Sequence, residues 1–416
     1  MRIPLTWLAV PALAVGFVAA TAVTYFYVTI PPDVDPATIE SRVIGTPAEA
    51  HLTAVEAGRA AARSLTAEEK LPGMSVAVAV DGRVVWAEGF RYADVERRTP
   101  VTPDMRFRIG GVTEALTAAA VGLLVERGAL DLDAPVQRYV PRFPEKEWRI
   151  TTRQLMAHTA GFRRSSGEPE HLPGVVCTDD VERFTFFADD ELRYEPGTRR
   201  AHARFGWVVV GAVVGGAAGV PYAEFMEREV LAPLDMRRTV PGGLGYDEAD
   251  DATPYFPRFM LDPRYGLQEA PEVNLACLLP AAGYLSTPSD LARFGAAMMS
   301  GALLTAATWE TLQTPVPLAS GDSDGQALGW VVQQAPLGAG GTPTRIVGIG
   351  LGEAVRDAPL SAVSTGGHVA GGTATLMLVP EHRLAIAVAT NVSGSRNVAA
   401  LAMRLGGAFV DAGARQ

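Results

Sequence analysis

At 416 residues the chain can form one large or two ordinary domains with an ample core, and 48% hydrophobic against 20% charged residues excludes a disordered protein. A formal net charge of −10 with no basic stripe argues against nucleic acid as a partner. Two cysteines, Cys177 and Cys277, are too few for a disulfide framework or a zinc site; they read as one bridge in an oxidising compartment or as two buried thiols.

Ile3 to Ile30 carry no charge. At about 1.5 Å per residue this run exceeds the roughly 30 Å hydrocarbon core of a bilayer. Trp7 lies near one end and Tyr25 and Tyr27 near the other; Arg2 precedes the run, and Asp33, Asp35 and Glu40 follow it. This pattern predicts a transmembrane anchor over 1–31 with the rest of the chain extracytoplasmic, that is, periplasmic. The alternative is a signal peptide cleaved after Ala20-Thr21-Ala22, disfavoured because the apolar run continues past it. Residues 32–47 read as a linker, and 48–412 as the folded domain.

His51 to Glu69 reads as an amphipathic helix. Met74–Val80 and Arg83–Ala87 flank Asp81-Gly82, a β-hairpin signal. Phe107 to Gly110 read as a strand end turning into a helix, whose apolar positions recur at Val112, Leu116, Ala120, Leu123 and Leu124 before Gly128. Residues 111–240 read as mainly helical. They include a capped helix over Thr151–Gly161, a buried one over Phe205–Gly219 and another over Tyr222–Met236. Asp179-Asp180 and Asp189-Asp190 read as a solvated loop, since their spacing matches no metal loop. Residues 241–275 read as a loop, and Asp290–Met299 as a helix. Short β runs follow at Leu328–Gln333, Arg345–Ile349, Thr373–Val379 and Leu384–Thr390, and Asn397–Val410 closes the chain as a helix. Strands at both chain ends with helices between predict an α/β (α+β) fold: an antiparallel sheet from both ends flanked by helices, with a helical subdomain inserted at about 111–240.

Several stretches together carry a family resemblance. They are Leu71-Pro72-Gly73-Met74, Gly89 through Asp94, Phe107-Arg108-Ile109-Gly110, Leu130 through Val136, Leu155 to Phe162, and Glu195-Pro196-Gly197-Thr198. Pro233 through Met236, Ala282 through Phe294, and Ala327-Leu328-Gly329-Trp330 continue the pattern in order. Over residues 48–412 the chain resembles the serine β-lactamase and penicillin-binding-protein-like family, in its class C-like branch of esterases and D-aminopeptidases. The resemblance implies the β-lactamase/transpeptidase-like fold. It also implies a serine nucleophile at a helix N-terminus, a lysine one turn on, a Tyr-x-Asn pair, and a Lys-Thr-Gly or His-x-Gly strand facing the serine.

The sequence departs at each of these positions. Gly111 stands at the serine position and Glu114 at the lysine position. His202-Ala203-Arg204 occupies the Tyr-x-Asn position, and Thr365 of Ser364-Thr365-Gly366-Gly367 the lysine-or-histidine position, with His368 offering a competing alignment. Gly366, Gly367 and His368 are candidate pocket-lining residues. The chain has two lysines, Lys70 and Lys146, and neither is placed to stand in.

Loss of the nucleophile alone costs roughly 10⁴–10⁶ in kcat, so four changed motifs together read as a pseudoenzyme that binds a small ligand or an envelope protein. The alternative is an active hydrolase in which Glu114, His202 and His368 activate water. Charge suggests an ion pair between Glu114 and Arg204; otherwise both face water. His158 lies in a stretch the family shares and reads as structural. No cofactor and no metal site is expected, because no ligand spacing supports one. Gly321-Asp322-Ser323-Asp324-Gly325 matches a nucleophile elbow without the strand and helix such a turn needs, and reads as a polar turn. Ser165-Ser166 and Ser286 read as loop and helix-entry residues.

Overall fold

The hairpin expected at Asp81-Gly82 forms in the computed structural model, with both residues at positive φ as a tight two-residue turn requires. The structure describes residues 32–163, 177–243, 245–259, 261–337 and 358–413. The uncharged run to Ile30, Ser165-Ser166 and the strand expected at Arg345–Ile349 lie outside them.

In chain order the first part comprises β1 (Ser41–Val43), α1 (Leu52–Glu68), β2 (Gly73–Val80), β3 (Arg83–Asp94), β4 (Thr99–Pro100), β5 (Phe107–Arg108) and α2 (Val112–Glu126). The helical part adds α3 (Thr152–Met156), α4 (Glu182–Thr185), α5 (Arg204–Ala218) and α6 (Tyr222–Met226). Then come β6 (Val240–Pro241), β7 (Tyr255–Pro257), β8 (Leu267–Glu269), α7 (Leu279–Ala282), β9 (Tyr284–Ser286), α8 (Pro288–Ser300) and α9 (Ala306–Gln313). The chain closes with β10 (Val331–Leu337), β11 (Ala358–Val369), β12 (Gly372–Val379), β13 (Leu384–Thr390) and α10 (Val398–Gly413).

Among the described residues the main sheet runs β1-β3-β2-β13-β12-β11-β10, antiparallel throughout, with β4 paired to β3. Strands from both chain ends meet where β13 pairs with β2. Alternation gives the sheet two unlike faces. Met74, Val76 and Val78 of β2 and Ile386 and Val388 of β13 pack against α1 and α10, with Leu65, Leu405 and Phe409. The other face presents Ala77, Ala79, Ala385, Ala387 and Ala389, small side chains that let α8 come close with Leu291 and Phe294. Each large side chain so buried contributes about 1.5–3 kcal/mol. Helix α2 is buried along Val112–Leu124 and apolar nearly all round, as expected of a helix through the centre of a core.

Several expectations need correction. Residues 41–43, read as linker, form the edge strand β1. Thr151 caps α3 through a capping box with Gln154, but the helix ends at Met156. The helix expected over Tyr222–Met236 is α-helical only to Met226 and continues as a π-helical turn, Glu227–Leu231, and a 3₁₀ turn, Ala232–Leu234. Residues 241–275 include the β7–β8 pair. Strand β11, which the resemblance implied at Ser364-Thr365-Gly366-Gly367, carries no apolar alternation there and extends over Ala358–Val369. Ser286 lies in β9, sharing a hydrogen bond with Thr239, and Thr287 caps α8. Among the described residues no single helix is long and apolar enough to cross a membrane. A pair bent by 77°, from Arg204 to Leu234, passes by length and composition, but it is largely core.

A buried charge fastens α1 to the sheet. Arg59 Nε donates to both Glu88 oxygens, at 2.8 and 3.0 Å, and Trp86 Nε1 donates to Oε2 at 2.8 Å. Burial pushes the Glu88 carboxyl up, but the bonds from Arg59, Ser41 and Trp86 outweigh it and hold the group below the ordinary glutamate value of 4.5. A depressed folded-state pKa gives stabilisation that is complete above the unfolded value and is lost as pH falls through the folded one. Calorimetry across pH 3–6 is therefore expected to show wild type losing part of its advantage over Glu88→Gln as pH falls below about 4.5.

Cys177 and Cys277 form a disulfide that links the segment before α4 to the turn before α7 across 100 residues of chain. Replacing both by serine is expected to cost about 2–5 kcal/mol, read as a lower denaturant midpoint.

Candidate functional site

Strand β5 pairs with β9 and delivers Ile109-Gly110-Gly111 to the start of α2, where Gly111 is the N-cap. Strand β11 crosses this N-terminus at backbone distance. A Cβ at position 111 would lie 3.0 Å from the Gly366 carbonyl oxygen. A Cβ on Gly367 would lie 2.7 Å from Gly111 N and 2.9 Å from its Cα. Thr365 is buried, and its hydroxyl donates to the Gly111 carbonyl at 3.5 Å. Gly366 and Gly367, expected to line a pocket, lie beside the place where the resemblance puts a nucleophile. A cavity of about 470 Å³ lies among Tyr139, Asp180, Arg183 and Pro221, away from these residues.

Glu114 stands in the first turn of α2, where the helix dipole favours a carboxylate, and is buried at 6% exposure. The expected ion pair with Arg204 does not form. Glu114 Oε2 faces His158 Nε2 at 3.3 Å and Oε1 faces His202 Nε2 at 3.7 Å, while Arg204 donates through Nη2 to the His368 carbonyl at 2.7 Å. The two imidazoles lie 4.4 Å apart, centre to centre. Glu114 Oε1 is fully enclosed and accepts no hydrogen bond. His368 meets the site through its backbone, and its exposed side chain is not a member of the Glu114 cluster.

His158, expected to be structural, also faces Glu114. It follows α3 in the left-handed region, φ +57°, a conformation that costs of order 1 kcal/mol. Two contacts hold it there: Ala201 N–H donates to its carbonyl at 3.0 Å, and Ala203 N–H to its Nδ1 at 3.5 Å. With Nδ1 accepting, the neutral ring carries its proton on Nε2, toward Glu114. The same contacts fix the segment bearing His202. No sequence signal marks the trio, because its members come from three separate segments.

The remaining candidates lie elsewhere. Lys70 pairs with Asp33 at 3.0 Å, and Lys146 donates to the Asp190 carbonyl at 2.8 Å, so neither lysine enters the site. Asp180 is not solvated: it pairs with Arg183 and accepts from Tyr222 N–H at 2.9 Å, and burial pushes its carboxyl up. Ser323 is exposed on a turn, as expected of the Gly321–Gly325 run.

An antiparallel sheet from both chain ends, a buried helix and a facing strand at its N-terminus define the β-lactamase class of fold. The model of the family described as Beta-lactamase matches residues 58–408, and the chain belongs to that family. It is 30% identical over 317 residues to the human protein "Serine beta-lactamase-like protein LACTB, mitochondrial", a match covering 60% of this chain and 57% of that protein. It is 25% identical over 290 residues to "Penicillin-binding protein 4*" of Bacillus subtilis, covering 63% and 60%. The chain thus spans under two thirds of the length of these relatives. Among solved structures it is similar to the octameric penicillin-binding protein homologue from Pyrococcus abyssi, with TM-score 0.68, 25% identity, and 86% and 77% coverage. It shares its fold with D-amino acid amidase from Ochrobactrum anthropi, with TM-score 0.69, 21% identity, and 87% and 99% coverage.

The close approach of β11 to Gly111 has a measurable consequence. Gly367→Ala forces backbone apart and is expected to destabilise by about 1–3 kcal/mol in urea unfolding. Gly111→Ser, whose new atom meets one carbonyl at a tight but tolerable distance, is expected to cost less.

Proposed function

We propose that this member of the β-lactamase family has given up acyl transfer and acts by binding a small ligand or an envelope protein. We also propose that it is held at a membrane by its N-terminal run, with the domain outside the cytoplasm. The observation that carries the first reading is that Gly111 stands at the nucleophile position with no side chain, the Gly366 carbonyl oxygen lying 3.0 Å from where a Cβ would be. Glu114, in the place of the activating lysine, is engaged by two histidines and offers no base to a serine. The uncharged run from Ile3 to Ile30 and the Cys177–Cys277 bridge support an oxidising, extracytoplasmic setting.

The second reading, a working hydrolase, draws support from Glu114 and His202 facing each other at 3.7 Å, a pair able to activate water. One experiment separates the two. Fluorescent penicillin and a fluorophosphonate are expected to leave the full chain unlabelled, with turnover of a chromogenic ester at the buffer rate. Stoichiometric labelling, or turnover that Glu114→Gln abolishes, overturns the binding reading.

A further inference from the structure

We propose that Glu114, His158 and His202 form a binding site for a divalent transition-metal cation, with zinc the best fit. One donor atom from each residue lies within 4.8 Å of the other two. A tetrahedral zinc site with bonds of about 2.0–2.2 Å places its donors about 3.3–3.5 Å apart. The two carboxylate oxygens each face one imidazole near that spacing, Oε2 to His158 Nε2 at 3.3 Å and Oε1 to His202 Nε2 at 3.7 Å.

The donor set is chemically selective. Two imidazole nitrogens and one carboxylate oxygen suit zinc and its first-row neighbours, whereas magnesium and calcium prefer all-oxygen shells. The buried carboxylate supplies the second argument. Glu114 Oε1 is enclosed and accepts no hydrogen bond, an arrangement that costs of order 1–3 kcal/mol and that a cation would repay. His158 and Glu114 are buried, while the His202 side chain is 51% exposed, so the site opens on the His202 side. Three protein donors leave a fourth position open on that side.

Loading asks little of the framework. His158 is held by its backbone and by the neighbouring 201–203 segment. Coordination through Nε2 moves its ring proton to Nδ1, so the long 3.5 Å contact from Ala203 N–H is the bond surrendered.

This inference goes beyond the binding reading and is tested separately from it: the penicillin label reports on position 111, and metal binding on Glu114. The full chain, freed of metal by chelator and dialysed, is titrated with zinc chloride by calorimetry and with cobalt(II) chloride by visible absorption. One equivalent of zinc is expected to bind more tightly than about 10 µM, with cobalt giving the intense bands of a four- or five-coordinate nitrogen–oxygen site. His202→Ala alters an exposed side chain and is expected to keep the wild-type circular dichroism. It should weaken zinc more than the 10–100-fold that loss of an outer-shell partner costs. Glu114→Gln should do the same. Absence of saturable binding at 100 µM zinc (a concentration about tenfold above that limit), or binding unchanged in both variants, overturns the proposal.

Discussion

The contact on which the site depends is that between Gly111 and Gly367. Main chain meets main chain there because neither residue carries a Cβ, and β11 can lie on the N-terminus of α2 at a distance that side chains would forbid. The sheet then becomes continuous with the buried helix. Thr365 contributes a hydroxyl to the Gly111 carbonyl, and Arg204 reaches the His368 carbonyl from the other side. Strand and helix are joined there main chain to main chain.

Glu114 follows from the same arrangement. A carboxylate in the first turn of a buried helix is favoured by the dipole but penalised by desolvation. Two histidines from separate segments face it, one of them held in a strained left-handed conformation by the chain that carries the other. Strain kept at a buried charge cluster is a sign of a site rather than of packing alone. One turn along α2 from Gly111, Glu114 thus gathers an ordered set of polar groups with His158 and His202.

Much of the fold was legible in the residues. The β2–β3 hairpin announced itself through alternation around Asp81-Gly82, and α2, α5, α8 and α10 through apolar spacing. Strand β11, beside Gly111, was legible only through the resemblance, because its two glycines and three polar residues show no period. The Tyr222 helix was drawn too long because a π-helical turn keeps nearly helical apolar spacing. Charge matching paired Glu114 with Arg204, but opposite charge between residues far apart in sequence carries no information about which side chains face each other.

The sequence by itself determined that the chain has the β-lactamase fold and that a glycine and a glutamate stand at positions 111 and 114. Order and identity of motifs are properties of the linear chain and can be read directly. Only the tertiary structure decided the rest: the strand lying on Gly111, the bridge between Cys177 and Cys277, and the convergence of Glu114 with His158 and His202. The convergence depends on how α2, the end of α3 and the entry to α5 pack around one point. Packing of that kind is set by the shapes of the whole core, which no local pattern encodes.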